Sequence, residues 1–291
     1  MLRFVRAVVA RLREFDVRDT LLEQELSAIE ATSEDEEAFC AATAALGVDP
    51  FSVDEATARE IVATADVLPE SVVQEFFVVA DVPRLAEQRS ALLGGIETIH
   101  GNRAELSPLR DLRARINGTS NAGQPWKQGY RVARALRERL GVEHVQINSI
   151  HTLANALRVQ GAQLTTAVMP ILAEGGGFDA IVDINATASP TFAVVQRKEP
   201  ATLFAVCRAM FEYLTGPTDR PGLVTRSRSD SQKRNRAFAA EFLVPAEQLR
   251  LQIPRSVITS ETVDDLADRF GASSAVIRHQ IDNHHLAMVV D

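Results

Sequence analysis

An α+β fold, mostly helical with a small antiparallel or mixed β-sheet packed with helices, follows from three observations along the 291 residues. Between Asp19 and about Leu93 apolar residues recur at intervals of three and four, the period of helices packed on one another. Beyond residue 120, three short strand patterns follow in close succession, at Gln163 to Met169, Phe178 to Asn185 and Thr191 to Gln196. Helical patterns lie before and after them, so strands and helices segregate along the chain and do not alternate as βαβ units.

Met1 to Phe15 (MLRFVRAVVARLREF) sets arginines at helical spacing inside an apolar stretch, with no small-residue cleavage site after it. That pattern predicts an amphipathic helix and not a secretory signal. Leu22, Leu26 and Ile29, then Phe39, Ala42 and Leu46, continue the helical period. Breaks at Gly47-Val48-Asp49-Pro50, Leu68-Pro69 and Val82-Pro83 cut this extension into short helices. The cluster Asn117-Gly118-Thr119-Ser120-Asn121-Ala122-Gly123 predicts a flexible boundary near residue 120. The expected domains are a helical region over 1–120, a mixed domain over 121–255 and a terminal helix pair over 256–291.

In the second domain Pro125 to Leu140 (PWKQGYRVARALRERL) predicts a helix with Trp126, Tyr130, Ala133, Leu136 and Leu140 on its apolar face and Gly141 as its stop. Ile150 to Val159 predicts a second helix. Gly175 to Gly177 turns the chain between the first two strands, and Pro190 opens the third. Pro200 suits the first turn of a helix running over Ala201 to Leu214, ended by Thr215-Gly216-Pro217. A basic loop, Arg220 to Arg236, leads into a helix through Phe238, Glu241 and Phe242 that ends before Pro245, and Glu247 to Ile253 follows. Thr262 to Phe270, Gly271-Ala272 and Ser273 to Asn283 have the spacing of a helix-turn-helix.

Composition narrows the function. The chain is 46% hydrophobic and 24% charged, enough for one large core or two modest ones. No apolar run approaches the roughly 20 residues of a membrane span, so no membrane partner is expected. A formal charge of -8 counts against nucleic-acid binding by bulk electrostatics. The acidic run Glu34, Asp35, Glu36, Glu37 and the basic stretch Arg220 to Arg236 read as solvated surface. Cys40 and Cys207, without a CxxC spacing, imply no disulfide framework and suit the cytoplasm.

Two segments carry the most specific signal: Leu203 to Leu214 (LFAVCRAMFEYL) and Asn235 to Pro245 (NRAFAAEFLVP). With the order helix, small sheet, helix, FAAE-type helix and terminal helix pair over about residues 125 to 285, they resemble the ImmA/IrrE family of zinc metallopeptidases. The resemblance implies a zincin-like fold with HExxH on the first helix and a FAAE-LL-P signature on the second. Two histidines at i and i+4 reach one zinc from a single helix face, and the glutamate between them activates the bound water. Laid on that pattern, Val206, Cys207 and Met210 stand where His, Glu and His are expected. No other i,i+4 pair along Leu203 to Leu214 supplies zinc ligands, and the acidic third ligand meets QKRNR at Gln232 to Arg236.

The resemblance therefore implies a degenerate member without a cofactor, a pseudopeptidase acting as a regulatory or partner-binding module in transcriptional, stress or mobile-element control. Its expected partner is a protein, with a transcriptional regulator as one candidate. The alternatives are an active zinc peptidase that cleaves a repressor-type protein, and a DNA-binding regulator reading through Arg278, His279, Gln280 and Asn283 of the last helix.

Within the former metal cleft Arg208 and Glu212 stand at helical ion-pair spacing. As an exposed pair they contribute about 0.2–0.5 kcal/mol. With Arg234 or Arg236, Arg208 instead forms a pocket for an anion or an acidic peptide, and Glu241 of the FAAE segment completes the candidate set. Cys207 reads as packing, since no nearby histidine serves as its base. His279, His284 and His285 lack a zinc spacing and read as surface or capping residues, and Asp179 and Asp183 as solvated acids on one strand face.

Overall fold

The computed structural model describes residues 2–31, 34–100, 102, 104–116, 123–171, 176–184, 189–216 and 220–290. Its contacts divide the chain into two units, Met1–Val62 and Ala63–Asp291. The first holds α1 (Leu2–Glu14), α2 (Leu21–Ala31), α3 (Glu34–Leu46) and most of α4 (Glu55–Val67). α1 and α2 are tied by Arg6 Nε to Glu30 Oε1 at 2.7 Å and Arg13 Nε to Glu23 Oε1 at 2.6 Å. Asp54 starts α4, its Oδ1 accepting the Ala56 and Thr57 amides at 2.9 Å each, which satisfies two N–H groups that a helix leaves unpaired.

The second unit opens with α5 (Glu70–Phe77), α6 (Leu85–His100) and α7 (Ser107–Ile116), then α8 (Pro125–Leu140), α9 (Ile150–Ala156) and α10 (Gly161–Ala167). The strands β1 (Val168–Ile171), β2 (Phe178–Ile184) and β3 (Pro190–Val195) precede α11 (Glu199–Thr215), and β4 (Gly222–Thr225) precedes α12 (Asp230–Leu243). The chain finishes with α13 (Ala246–Gln252), β5 (Val257–Thr259), α14 (Ser260–Phe270), α15 (Ser274–His284) and β6 (Met288–Val290). Helices α5 to α7 pack on the sheet and on α11, so the contact break falls well before residue 120. The cluster Asn117 to Ala122 lies outside the described residues.

The main sheet is mixed, in the order β1-β3-β2-β4, with β1 parallel to β3 and β2 antiparallel to both neighbours. One face, carrying Ala180, Val182, Phe192, Val194 and Val224, joins the large apolar core around α11. The other receives α6, where a Cβ on Gly95 would sit 2.4 Å from Ile181. β5 and β6 form a separate parallel pair. No helix among the described residues is long and apolar enough to cross a membrane.

Two expectations need correction. Most of the strand expected at Gln163 to Met169 is helix α10, and β1 begins only at Val168. The β-branched Thr165 and Thr166 are accommodated because their hydroxyls donate to the Gly161 and Ala162 carbonyls one turn back, at 3.0 and 2.8 Å. The expected basic loop Arg220 to Arg236 contains β4 and the start of α12, since Ser229 Oγ caps that helix by accepting the Gln232 amide at 3.3 Å.

α12 is buried nearly all round, from Ala237 to Leu243. Phe238 lies 5.0 Å from the Phe211 ring of α11 and stacks on Phe242 at 5.4 Å. α8 crosses its other side at Gly129, where a Cβ would fall 2.3 Å from the Arg234 carbonyl oxygen. The ends of these two helices share one clasp. The buried Arg137 donates to Phe242 O at 2.6 Å and to Val142 O and Val145 O at 2.7 and 2.6 Å, while burial draws its pKa down to about 10.

Candidate functional site

Val206, Cys207 and Met210 all point into the apolar core and are at most 1% exposed. Burial pushes the Cys207 thiol far above its usual range, so it stays protonated and is no thiolate ligand. A valine, a neutral thiol and a thioether inside a packed core do not fit a zinc ion. Among the described residues no group of three or more His, Cys, Asp or Glu side chains converges elsewhere.

Between these positions on the same helix, Arg208 is the centre of a buried polar network. Its Nη1 donates to Asp179 Oδ2 at 2.6 Å, its Nε to Asn235 Oδ1 at 2.9 Å, and its Nη2 to Gln232 Oε1 at 2.9 Å and to the Thr225 carbonyl. Only 3% of Arg208 is exposed. Burial lowers its pKa to about 10 against the opposing charge of Asp179, which still leaves it cationic at neutral pH. The surface ion pair expected with Glu212 is thereby corrected: Arg208 binds Asp179, and its donors meet protein acceptors.

Asp179 reaches Arg208 because β2 carries a bulge. Phe178 pairs with Thr225 and Ala180 with Val224, leaving Asp179 as the extra residue. Strict alternation would place Asp179 with Ile181 and Asp183 on the α6 face, whereas the bulge turns it toward α11. Asp179 is buried, not solvated, and Arg197 Nη2 at 2.8 Å and Arg226 Nε at 3.3 Å also reach its Oδ1. Asp183 is half-buried, 3.5 Å from His100 Nδ1.

The remaining candidates are dispersed. Glu212 borders a cavity of about 440 Å³ between α5, α11, β4 and the start of α12, opposite Glu75. Its Oε2 accepts from Ser231 Oγ at 3.5 Å; burial, aided by the charge of Glu75, raises its pKa. Glu75 accepts from Ser229 Oγ at 2.6 Å, Ser227 Oγ at 3.0 Å and Thr225 Oγ1 at 3.2 Å. Arg234 is half-buried, and its charge opposes the rise in the Glu212 pKa. Arg236, half-buried, lines a different hollow beside α15, with its pKa lowered chiefly by burial. Glu241 is 1% exposed and accepts from Arg134 Nε at 2.7 Å and Gln280 Nε2 at 3.0 Å. Gln232 and Thr225 thus connect the Arg208 network to the Glu75–Glu212 cavity, while Glu241 belongs to a separate environment between α8 and α15.

The terminal pair packs inward. Gln280 is fully buried, Arg278 donates to Ser260 Oγ at 2.7 Å, and Asn283 donates to Tyr130 Oη at 3.1 Å. Of the four residues expected to face DNA, His279 and Asn283 are exposed, Asn283 being held by its bond to Tyr130. The His284 ring lies tilted against Tyr130, centroids 4.8 Å apart, and burial lowers its pKa, which keeps it neutral near pH 7. Sequence reasoning missed Gln232, Asn235 and Glu75, whose roles come from contacts across the fold; a polar cluster on an otherwise apolar helix was the one local sign. No protein-family model matches the chain, and no curated protein matches it.

Proposed function

We propose that the chain is an ImmA/IrrE-like protein that keeps a zincin-like scaffold, has no peptidase chemistry, and acts by binding a protein partner. The observation that carries this reading is the side-chain set on α11: Val206, Cys207 and Met210 sit in the core where the family pattern has its ligands and base. Beside them the space is filled by Arg208, Asp179, Gln232 and Asn235, which bond one another, with the Asp179 carboxylate held by Arg208 and not open as a base toward a metal-bound water. The setting in transcriptional, stress or mobile-element control, and a transcriptional regulator as partner, follow from the resemblance alone.

Metal analysis of the full chain purified without chelator tests the reading. Zinc well below one per chain is expected; stoichiometric zinc, removed by a chelator with loss of a peptide-cleaving activity, would overturn it.

A further inference from the structure

Trp126 and Tyr130 form a ridge on α8, and both, with Asn283 of α15, line a hollow on either side of it. The first hollow, about 540 Å³, is bordered by Lys127, Arg131, Arg134 and His284. The second, about 310 Å³, is bordered by Phe204, Lys233, Arg236 and His279. No carboxylate is among the described residues lining either one, although the whole chain carries -8. Arg134 is paired with Glu241 at 2.7 Å and Lys233 with Asp230 at 3.0 Å, so the excess positive charge on this face, against the sign of the molecule, comes chiefly from Lys127, Arg131 and Arg236 around the single tryptophan, which is 40% exposed.

The walls also hold buried polar atoms that lack a hydrogen-bond partner. Gln280 donates through Nε2 to Glu241 Oε2 at 3.0 Å and Val244 O at 2.7 Å, which fixes the amide orientation and leaves Oε1 unpaired. His284 Nε2, 3.5 Å from Glu241 Oε2, is likewise without a hydrogen bond. Leaving such groups unmet is unfavourable. An extended peptide carries N–H donors along its length for such unmet acceptors, whereas a phosphodiester backbone carries none.

We propose that the Trp126–Tyr130 ridge and its two hollows dock an extended acidic segment of a protein partner. Carboxylates of the segment meet Lys127, Arg131, Lys233 and Arg236, and an apolar side chain lies beside Trp126. The proposal rests on the partner-binding reading and gives it a surface and a ligand chemistry.

Because the chain has one tryptophan, its emission reports this surface directly. The probe is a synthetic peptide, acetyl-Glu-Asp-Glu-Phe-Glu-Asp-Glu-amide, titrated into the full chain. A saturable change in Trp126 emission is expected, weakening about fivefold or more between about 50 and about 300 mM salt. The exposed pair of changes Lys127→Glu and Lys233→Glu should weaken binding about tenfold with an unchanged melting curve; if that double variant fails to fold, Lys127→Gln should weaken it about two- to threefold. No saturable change, equal binding of the peptide with Lys at every acidic position, or wild-type affinity in a folded charge variant would overturn the proposal. Tighter binding of a 12-residue oligothymidylate would overturn it in favour of nucleic acid. Stoichiometric zinc alongside intact peptide binding would remove the inactive-peptidase reading and leave this surface standing.

Discussion

Arg208 was legible in the sequence as an odd charge on an apolar helix, but its partner was not. Spacing pointed to Glu212, whereas the bonded carboxylate lies on β2 and is presented by a bulge that no local pattern announces. Removing the guanidinium leaves Asp179 to Arg197 and Arg226 but strips Asn235 Oδ1 and the Thr225 carbonyl of their donor, so Arg208→Ala should cost about 1–3 kcal/mol per acceptor left unmet, read in urea unfolding. Replacing both partners, with Arg208→Met and Asp179→Leu, should cost less than Arg208→Met alone. Glu212 gives a pH prediction of defined sign. Its pKa is raised in the folded state, so the native protein binds the proton more strongly than the unfolded chain. Stability is therefore lost as pH rises from the ordinary carboxyl range near 4.5 through the raised folded value. Glu212→Gln should melt higher than wild type at pH 7 to 8, with the advantage shrinking below about pH 4.5. The thiols should also separate: native protein is expected to take one maleimide, at exposed Cys40, and a second at Cys207 only after unfolding.

Elements with strong punctuation were read correctly. Pro125 and Gly141 bracket α8 at the expected bounds, and Gly141 adopts the left-handed conformation, φ 68°, that suits a residue without a Cβ. α10 was misread because threonine-rich stretches favour strands until their hydroxyls find carbonyls one turn back. α12 was recognised by its FAAE segment but not by its start, which depends on a serine cap inside a basic run. The α8–α12 crossing depends on one missing methyl group. Gly129→Ala would place a Cβ against the Arg234 carbonyl and the Phe238 amide, and should destabilise by about 1–3 kcal/mol or more, read as a lower melting temperature. An alanine at Gly94, where nothing lies within 4 Å, is the matched control.

At the scale of the molecule, the α+β class was legible because helical and strand patterns occupy different stretches. The sheet order was not, since a parallel β1–β3 pair joins segments separated by β2. The contact division at Val62 gives a further expectation. The first unit leaves Phe4, Phe15, Leu21 and Ile29 exposed, while β3, most of β2 and residues 237–243 of α12 are buried. In hydrogen exchange the amides of α1 to α3 should exchange through smaller openings, well ahead of β2, β3 and α12. Equal protection across both units would contradict this.

The bulge at Asp179 links two properties that mutation usually alters separately. Deleting that residue would straighten β2 and, in the same event, remove the counter-ion of a cation in the core. A variant lineage that lost the extra residue would therefore retain a stable fold only if Arg208 changed too. Strand register and core charge are expected to covary as a single inherited character.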